Sequence, residues 1–395
     1  MFVLWPLLCL ALVFGDDQSA IPCDSQFPYY SGEYCYSKLP GSSPVNDLWV
    51  CEGYHSLPAI VTNAFDNAFL AKLLNGNSTW LGMLWNGTHV LPAGPGDVIN
   101  YARWGPGQPK GNGTIVMGPD GYWHVLAKDE RYSPYFCQHK AIEDCQGWRL
   151  ERFHEDSGVM TVKVGNGVRQ VYCDMTTQDG GWTLLQSRVD AKEPFWNRKW
   201  ADYKQGFGTA DPASNYWLGN EAAHVMTNLG SDTELLVEMW NDRQPGSNRT
   251  TAYWWAGYTN FSIDAESTSY TLYAWQDWRD ILGNASANWY DLTYSSGRPF
   301  STIDRINDPQ AKSVSDFHLG GWWLYYGAFC SLNGEYVPPI SWGNGYGMFW
   351  LVEDPKWQKG EPYQYVINPA HSKMMFRRVV KNGRMLATNR IQRVY

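Results

Sequence analysis

The cysteines constrain this chain most. There are eight, and the first, Cys9, sits in an apolar leader, "MFVLWPLLCLALVFGDDQSA". The apolar run from Phe2 to Phe14 is too short to span a bilayer, and it ends at Gly15, Asp16 and Asp17. It reads as a secretory signal peptide over residues 1–15, cut after Gly15 or alternatively after Ala20. No Lys or Arg precedes the run, so the free amino terminus supplies its charge. Export puts Cys23, Cys35, Cys51, Cys137, Cys145, Cys173 and Cys330 in an oxidising compartment, where cysteines pair. Seven is odd, so one thiol is left over.

A chain of 395 residues is too long for one ordinary core and predicts two folded units. With 44% hydrophobic and 18% charged residues it is globular in composition. Its outliers are 22 Trp and 25 Tyr, amphipathic rings that fill cores and also form binding platforms. The net charge of −8, with no basic run before the tail, argues against nucleic acid and anionic membrane as partners. No stretch beyond the leader is apolar for long enough to predict membrane insertion. Sequons at Asn77, Asn86, Asn112, Asn248, Asn260 and Asn284 are glycosylation candidates on an exported chain. The short polar stretch "CQHKAIEDC" marks the boundary, with residues 140–143 as linker.

The first unit spans 21–139. Ala64, Phe65, Ala68, Phe69, Leu73 and Leu74 in "VTNAFDNAFLAKLL" fit an amphipathic helix with Thr62 or Asn63 as N-cap. "STWLGMLW" reads as a buried strand and "YSPYFCQHK" as a closing strand. Val90 to Glu130 is rich in Gly and Pro and predicts a long looped region. In order, "HSLPAIVTNAFDNAFLAKLL", "WLGML", "RWGPGQP", "GYWHV" and "YFCQHK" resemble the C-type lectin-like domain. That resemblance implies two helices, antiparallel sheets and a long loop region. It also implies Cys51–Cys137 as the core bridge and Cys23–Cys35 as an N-terminal hairpin bridge.

The second unit spans 144–380, followed by a tail over 381–395. "VYCDMTTQDGGWTLLQSRVDAKEPFWNRKWADYKQGFG" and "YWLGNEAAHVMT", then "PFSTIDRIND", "GGWWLYYGAFCSLNGEY" and "SKMMFRRV", resemble the fibrinogen C-terminal domain. This implies an antiparallel sheet with short helices and long loops, and a Cys145–Cys173 bridge. Because the pair flanks "GVMTVKV" and "RQVYCDM", the bridge is expected to tie two strands of a small ribbon. The fold class is therefore α+β in both units.

Each resemblance carries a calcium site in its family, and this chain departs from both. In "WGPGQPKGNGT", Gln108 and Pro109 match the lectin motif, but Lys110 stands where an Asn or Asp should, and His124 and Val125 follow Trp123 in place of Asn-Asp. An ammonium repels a divalent ion, and a valine offers it no side-chain oxygen. In the second unit Asp304 and Asp308 remain of the family's acidic triplet, with Ile306 in the middle. No cofactor is expected, calcium included. The second bridge of the fibrinogen-like pocket is absent, with Gly327 and Ala328 at its cysteine and neighbouring position. Ligand candidates are Gln108, Trp123, Trp322, Trp323, Asn333 and Tyr336. Trp322, Trp323, Tyr325 and Tyr326 form an aromatic run that suits a binding surface, with core packing as the preferred alternative. Cys330 either links two chains as a disulfide dimer or is a buried thiol, and the second reading is preferred.

No nucleophile elbow, metalloprotease helix or phosphate loop is present, so no enzymatic activity and no catalytic residue are expected. The resemblances imply a secreted recognition protein that binds glycans or other extracellular ligands without calcium, in innate defence or adhesion. The alternative is an extracellular protein-interaction role with vestigial sugar sites.

Overall fold

The computed structural model describes residues 21–39, 43–44, 49–94, 96–126, 131–132, 135–244, 247, 253–276, 282–285, 290–309, 312–336, 345–353 and 364–379. The expected leader, the tail over 381–395 and the sequon at Asn248 lie outside the described residues. The chain divides into two compact units, Met1–Ala141 and Ile142–Tyr395. Among the described residues no helix is long and apolar enough to cross a membrane.

In the first unit, β1 (Tyr34–Leu39) pairs antiparallel with the last strand of the unit, so its two ends are hydrogen-bonded neighbours. Helix α1 (Ala64–Leu74) follows, then β2 (Thr79–Trp85), β3 (Gly113–Met117), β4 (Trp123–Leu126) and β5 (Tyr135–Lys140), which is β1's partner. One sheet runs Tyr29–Tyr30, β1, β5, Leu57–Pro58, and another runs Val90–Pro92, β2, β3, β4. The looped region expected over 90–130 thus contains β3 and β4. Ile115 and Met117 are fully buried, and Trp123 and Val125 alternate inward on β4, a signal hidden among the flanking Gly and Pro residues. Cys51–Cys137 and Cys23–Cys35 are disulfides. With its cysteines 86 positions apart, the first of these constrains the unfolded chain by about 4–5 kcal/mol.

The helix forms where expected, with Asn63 as N-cap accepting from Asp66 N at 2.9 Å, but its buried face mixes polar and apolar residues rather than following the apolar stripe. Phe65 is 79% exposed, while Asp66, Asn67, Leu70 and Leu74 point inward. The reason is hydrogen bonding. Asn67 Nδ2 donates to Gly121 O at 3.1 Å, and Asn67 Oδ1 accepts from the Trp123 indole at 2.7 Å. Asp66 accepts from the Ser31 hydroxyl at 3.1 Å and from Asn63 Nδ2 at 2.7 Å. Fully partnered polar groups can be buried, and these two fix the helix rotation that counting apolar residues misassigns.

The second unit opens with α2 (Cys145–Glu151), capped by Asp144, whose carboxylate accepts from Gly147 N at 2.7 Å. A hairpin of β6 (Gly158–Val164) and β7 (Gly167–Asp174) follows, then β8 (Trp182–Arg188), α3 (Trp200–Gln205) and α4 (Asn220–Thr227). The chain continues through β9 (Thr233–Asp242), β10 (Tyr253–Ile263), β11 (Leu272–Trp275), β12 (Phe349–Glu353), β13 (Gln364–Ile367) and β14 (Pro369–Arg378). The main sheet is ordered β6-β7-β8-β14-β9-β10-β11, all antiparallel. The last strand therefore lies at the centre of the sheet. Its Arg378 donates to the Asp144 carboxylate, which joins the end of the unit to its beginning. Cys145–Cys173 is a disulfide, but it does not join two strands of a ribbon. Cys145 begins α2, so the bridge ties a helix start to β7. The local alternation around "GVMTVKV" belongs to the β6–β7 pair alone.

Replacing Asn67 by Leu strands the Trp123 indole N–H and the Gly121 carbonyl. It should lower unfolding free energy by about 2–4 kcal/mol, read as a shifted urea midpoint. Phe65→Ser, at the exposed aromatic, should leave the midpoint within about 0.5 kcal/mol of wild type.

Candidate functional site

Two clusters of half-exposed side chains grow from one segment of the second unit, 317–336, and the centre of the sheet holds that segment in place. Arg188 on β8 is 1% exposed, and its guanidinium donates to Leu332 O and to Gly334 O, each at 3.0 Å. Gln186 on the same strand donates to Leu332 O at 3.0 Å and to Asn333 Oδ1 at 3.2 Å. Asn333 Nδ2 donates in turn to Gly321 O at 2.9 Å, and the Ser331 hydroxyl to Leu319 O at 2.6 Å. Burial pushes the Arg188 pKa down to about 10, which leaves the group charged at neutral pH. Gly334 has no room for a side chain, because a Cβ there would lie 2.0 Å from Gly347 O.

The first cluster is an aromatic rim. Tyr290 packs edge-on against Phe329 at 4.8 Å, and Phe329 against Tyr294 at 4.6 Å. Tyr294 lies 6.4 Å from Tyr325, which meets Tyr326 at 4.7 Å and carries the Arg298 guanidinium 3.5 Å over its ring. Tyr326 is 56% exposed and has φ 50°, an unfavourable conformation for a bulky residue. Asp308 sustains it: its carboxylate accepts from Tyr326 N at 2.8 Å and from Gly327 N at 3.3 Å.

The second cluster has a polar centre. His318 stacks on Trp196 with ring centroids 4.2 Å apart and planes 5° from parallel. His318 Nδ1 is 2.6 Å from Glu335 Oε2 and 2.9 Å from the Tyr346 hydroxyl. Burial, with Glu335 adding to it, raises the Tyr346 pKa, so the hydroxyl stays a proton donor. His318 also has a left-handed backbone, φ 49°, held by Glu335 N donating to His318 O at 2.9 Å. Phe317 beside it is exposed.

Most of the ligand candidates read from sequence lie elsewhere. Trp322, Trp323 and Asn333 are fully buried, and so is Trp123 in the first unit. None can meet a ligand. The Trp323 indole donates to Tyr270 O at 2.8 Å, and its ring packs on Phe300 at 5.1 Å. The aromatic run therefore splits, with two tryptophans in the core and two tyrosines on the rim. Tyr336 is half-buried under Arg243, 3.9 Å over its ring, and its hydroxyl donates to Ala370 O at 2.9 Å. Gln108 serves its own loop: Oε1 accepts from Lys110 N and Val125 N, both at 3.1 Å.

Both acidic remnants receive N–H groups where a cation would need bare oxygens. Asp304 Oδ1 accepts from Trp200 N and from the Thr302 hydroxyl, both at 2.8 Å, while Asp308 holds 326 and 327. Among the described residues no group of three or more His, Cys, Asp or Glu side chains is placed to hold a metal.

Cys330 is fully buried, on the strand pair with Trp350, which corrects the chain-linking reading. Burial pushes its thiol pKa well up, with Asp291 adding to that and the Trp322 indole opposing it. Asn77, Asn86, Asn112, Asn260 and Asn284 are all exposed.

Trp196, Tyr290, Tyr294, Arg298, His318, Phe329, Glu335 and Tyr346 form the clusters and escaped sequence reading. They come from distant segments, and none stands in a motif whose chemistry announces itself. A usable signal was His318 directly before Leu-Gly-Gly-Trp-Trp, a lone imidazole at the mouth of a buried turn.

Residues 141–374 match the fibrinogen beta and gamma chains, C-terminal globular domain. Mouse microfibril-associated glycoprotein 4 is 36% identical over 51% of this chain and 75% of its own length. Human angiopoietin-related protein 1 is 30% identical over 65% of this chain and 53% of its own. The fibrinogen-like globe domain of human ANGPTL6 aligns with TM-score 0.48 and 30% identity, covering 60% of this chain and 96% of that one. The chain spans about half the length of the angiopoietin-related relatives it matches.

Arg188→Met should cost about 2–4 kcal/mol, because Gly334 O loses its guanidinium donor and Leu332 O one of its two. Chemical denaturation measures the loss, and near-UV circular dichroism should show the aromatic environment loosening.

Proposed function

The chain belongs to the family of fibrinogen C-terminal globular domains, and on that premise we propose that it is a secreted, non-enzymatic protein-interaction protein of the extracellular space. The observation that carries the proposal is the aromatic rim of Tyr290, Tyr294, Tyr325, Tyr326 and Phe329 with Arg298 above it, held on a hydrogen-bonded base. Tyr, Trp and Arg dominate the energetics of protein–protein contacts because they bring large contact area at small entropic cost. The Trp196–His318–Glu335 group, on the same segment, adds one aromatic face and one directional polar pair.

The apolar run at Phe2–Phe14 supports export, and the exposed sequons fit the same route. The first unit, 21–139, is proposed as a C-type lectin-like domain. Its supports are the paired terminal strands, the two bridges, and a Trp-bearing loop closed on β4. The second unit is proposed to run over 144–380, reached through a short connection after β5 ends at Lys140. Sugar binding through calcium is the weaker reading. Gln108, Asp304 and Asp308 are occupied by hydrogen-bond donors, and Trp123, Trp322 and Trp323 are sealed inside. The name of the microfibril-associated relative makes matrix microfibrils a first partner to try.

Solid-phase binding of the purified full chain to isolated matrix microfibrils and to a panel of extracellular proteins tests this, beside a glycan array. Protein binding that survives EDTA is expected. Tyr326→Ala should weaken it tenfold or more, the loss that about 1.4 kcal/mol at a contact residue produces, without lowering the melting temperature. Array binding abolished by EDTA, with no protein partner retained, would overturn the proposal.

A further inference from the structure

A second aromatic surface lies on β11, next to the segment that carries Arg298. Tyr273 and Trp275 are 46% and 50% exposed, and Leu272 and Ala274 beside them are buried. Alternate residues of a strand share a face, so both rings stand on the outer side, roughly 7 Å apart. The backbone edge here is already closed. Leu272 N donates to Arg298 O at 3.1 Å, its carbonyl accepts from Gly297 N at 2.7 Å, and Ala274 N donates to the Ser296 hydroxyl at 3.1 Å. What this edge leaves to solvent is two aromatic faces, which invite association.

Across the ladder Trp275 pairs with Thr259, and the next residue on β10 is Asn260, which opens the sequon Asn260-Phe261-Ser262. The register shifts between Thr259 and Ser262, and Asn260 occupies the bulge at φ 50°. It is exposed, and its side-chain amide has no hydrogen-bond partner among the described residues. By contrast, Asn77 and Asn284 donate their amides to neighbouring carbonyls, and Asn86 accepts from Thr88 and His89. A bulge turns its extra residue off the ladder. Thr259 is the residue paired with Trp275, and Asn260 lies one residue, about 3.3 Å, further along β10; with its side chain turned off the ladder, a sugar on Nδ2 falls within reach of the Trp275 ring. The C–H face of a pyranose suits the electron-rich face of an indole.

We propose that Asn260 carries an N-linked glycan whose first N-acetylglucosamine covers Trp275 and Tyr273, and that this cover keeps the corner of the sheet from meeting a second copy of the chain. Occupancy rests on the secretory route proposed above, and the test separates the two. In full-length protein secreted from mammalian cells, glycopeptide mass spectrometry should find Asn260 occupied. Glycans at other sequons but none at Asn260 overturn the inference and leave export standing; glycans nowhere overturn both. Asn260→Gln should lower the melting temperature by about 2–4 °C in the wild-type background and not at all in Trp275→Ser. Equal drops in both backgrounds overturn the packing. Trimming the glycan to its first sugar leaves every side chain native and should keep the wild-type melting temperature; a drop on trimming refutes the role of that sugar. Light scattering should show Asn260→Gln self-associating and Trp275→Ser reversing it, and an Asn260→Gln protein that stays monomeric refutes the shielding.

Discussion

One guanidinium without water organises the surface of the second unit. Arg188 comes from the middle of the sheet, and its two carbonyl partners, Leu332 and Gly334, lie nearly 150 residues further along the chain, at separations of 144 and 146. A charge buried there would be costly if left alone. It is tolerated because the carbonyls accept its protons and the Phe195 ring lies 4.1 Å below it. Both carbonyls are served by one nitrogen, Nη1, which the planar guanidinium stacked on Phe195 holds in a fixed position. Gln186 repeats the arrangement one pleat away, and the Ser372 hydroxyl on β14 donates to it at 3.0 Å. The loop is thus tied to two adjacent central strands.

That anchorage explains how a loop can hold residues in unfavourable backbone conformations. His318 and Tyr326 both sit at positive φ, at the start and in the middle of the anchored segment. Each is supported by hydrogen bonds that a freer loop could not keep aligned. The aromatic core lies immediately below. Trp322 and Trp323 are interior because the Gly320–Gly321 approach leaves space only for packed rings, with Tyr203 against Gly321. The same run of aromatics then passes to the surface within two residues, where Asp308 turns the chain.

The first unit shows a different balance. Its helix is held both by the Asn67 amide, bonded to the Trp123 indole, and by the buried Leu70 and Leu74. The loop that carries Gln108 closes on β4 through that residue's own side chain. The Gln108 side chain is spent on shaping its own loop, and residues that shape a loop differ from those that would hold a metal.

The sequence by itself determined the two-unit plan, the fibrinogen-like family of the second, and the helix and strands whose local periodicity is strong. Those properties are encoded by neighbouring residues, so a linear reading reaches them. For Cys330 the sequence leaves a chain-linking disulfide and a buried thiol both open, and its burial in the core comes from the fold. Only the tertiary structure decided which aromatics are interior, which face of the helix is buried, and where Cys145 sits. Only it brought His318 to Glu335 and Tyr346, or Trp275 to the residue before Asn260. Each of these depends on a pairing between distant segments, whose partners are set by register and by hydrogen-bond geometry rather than by residue type.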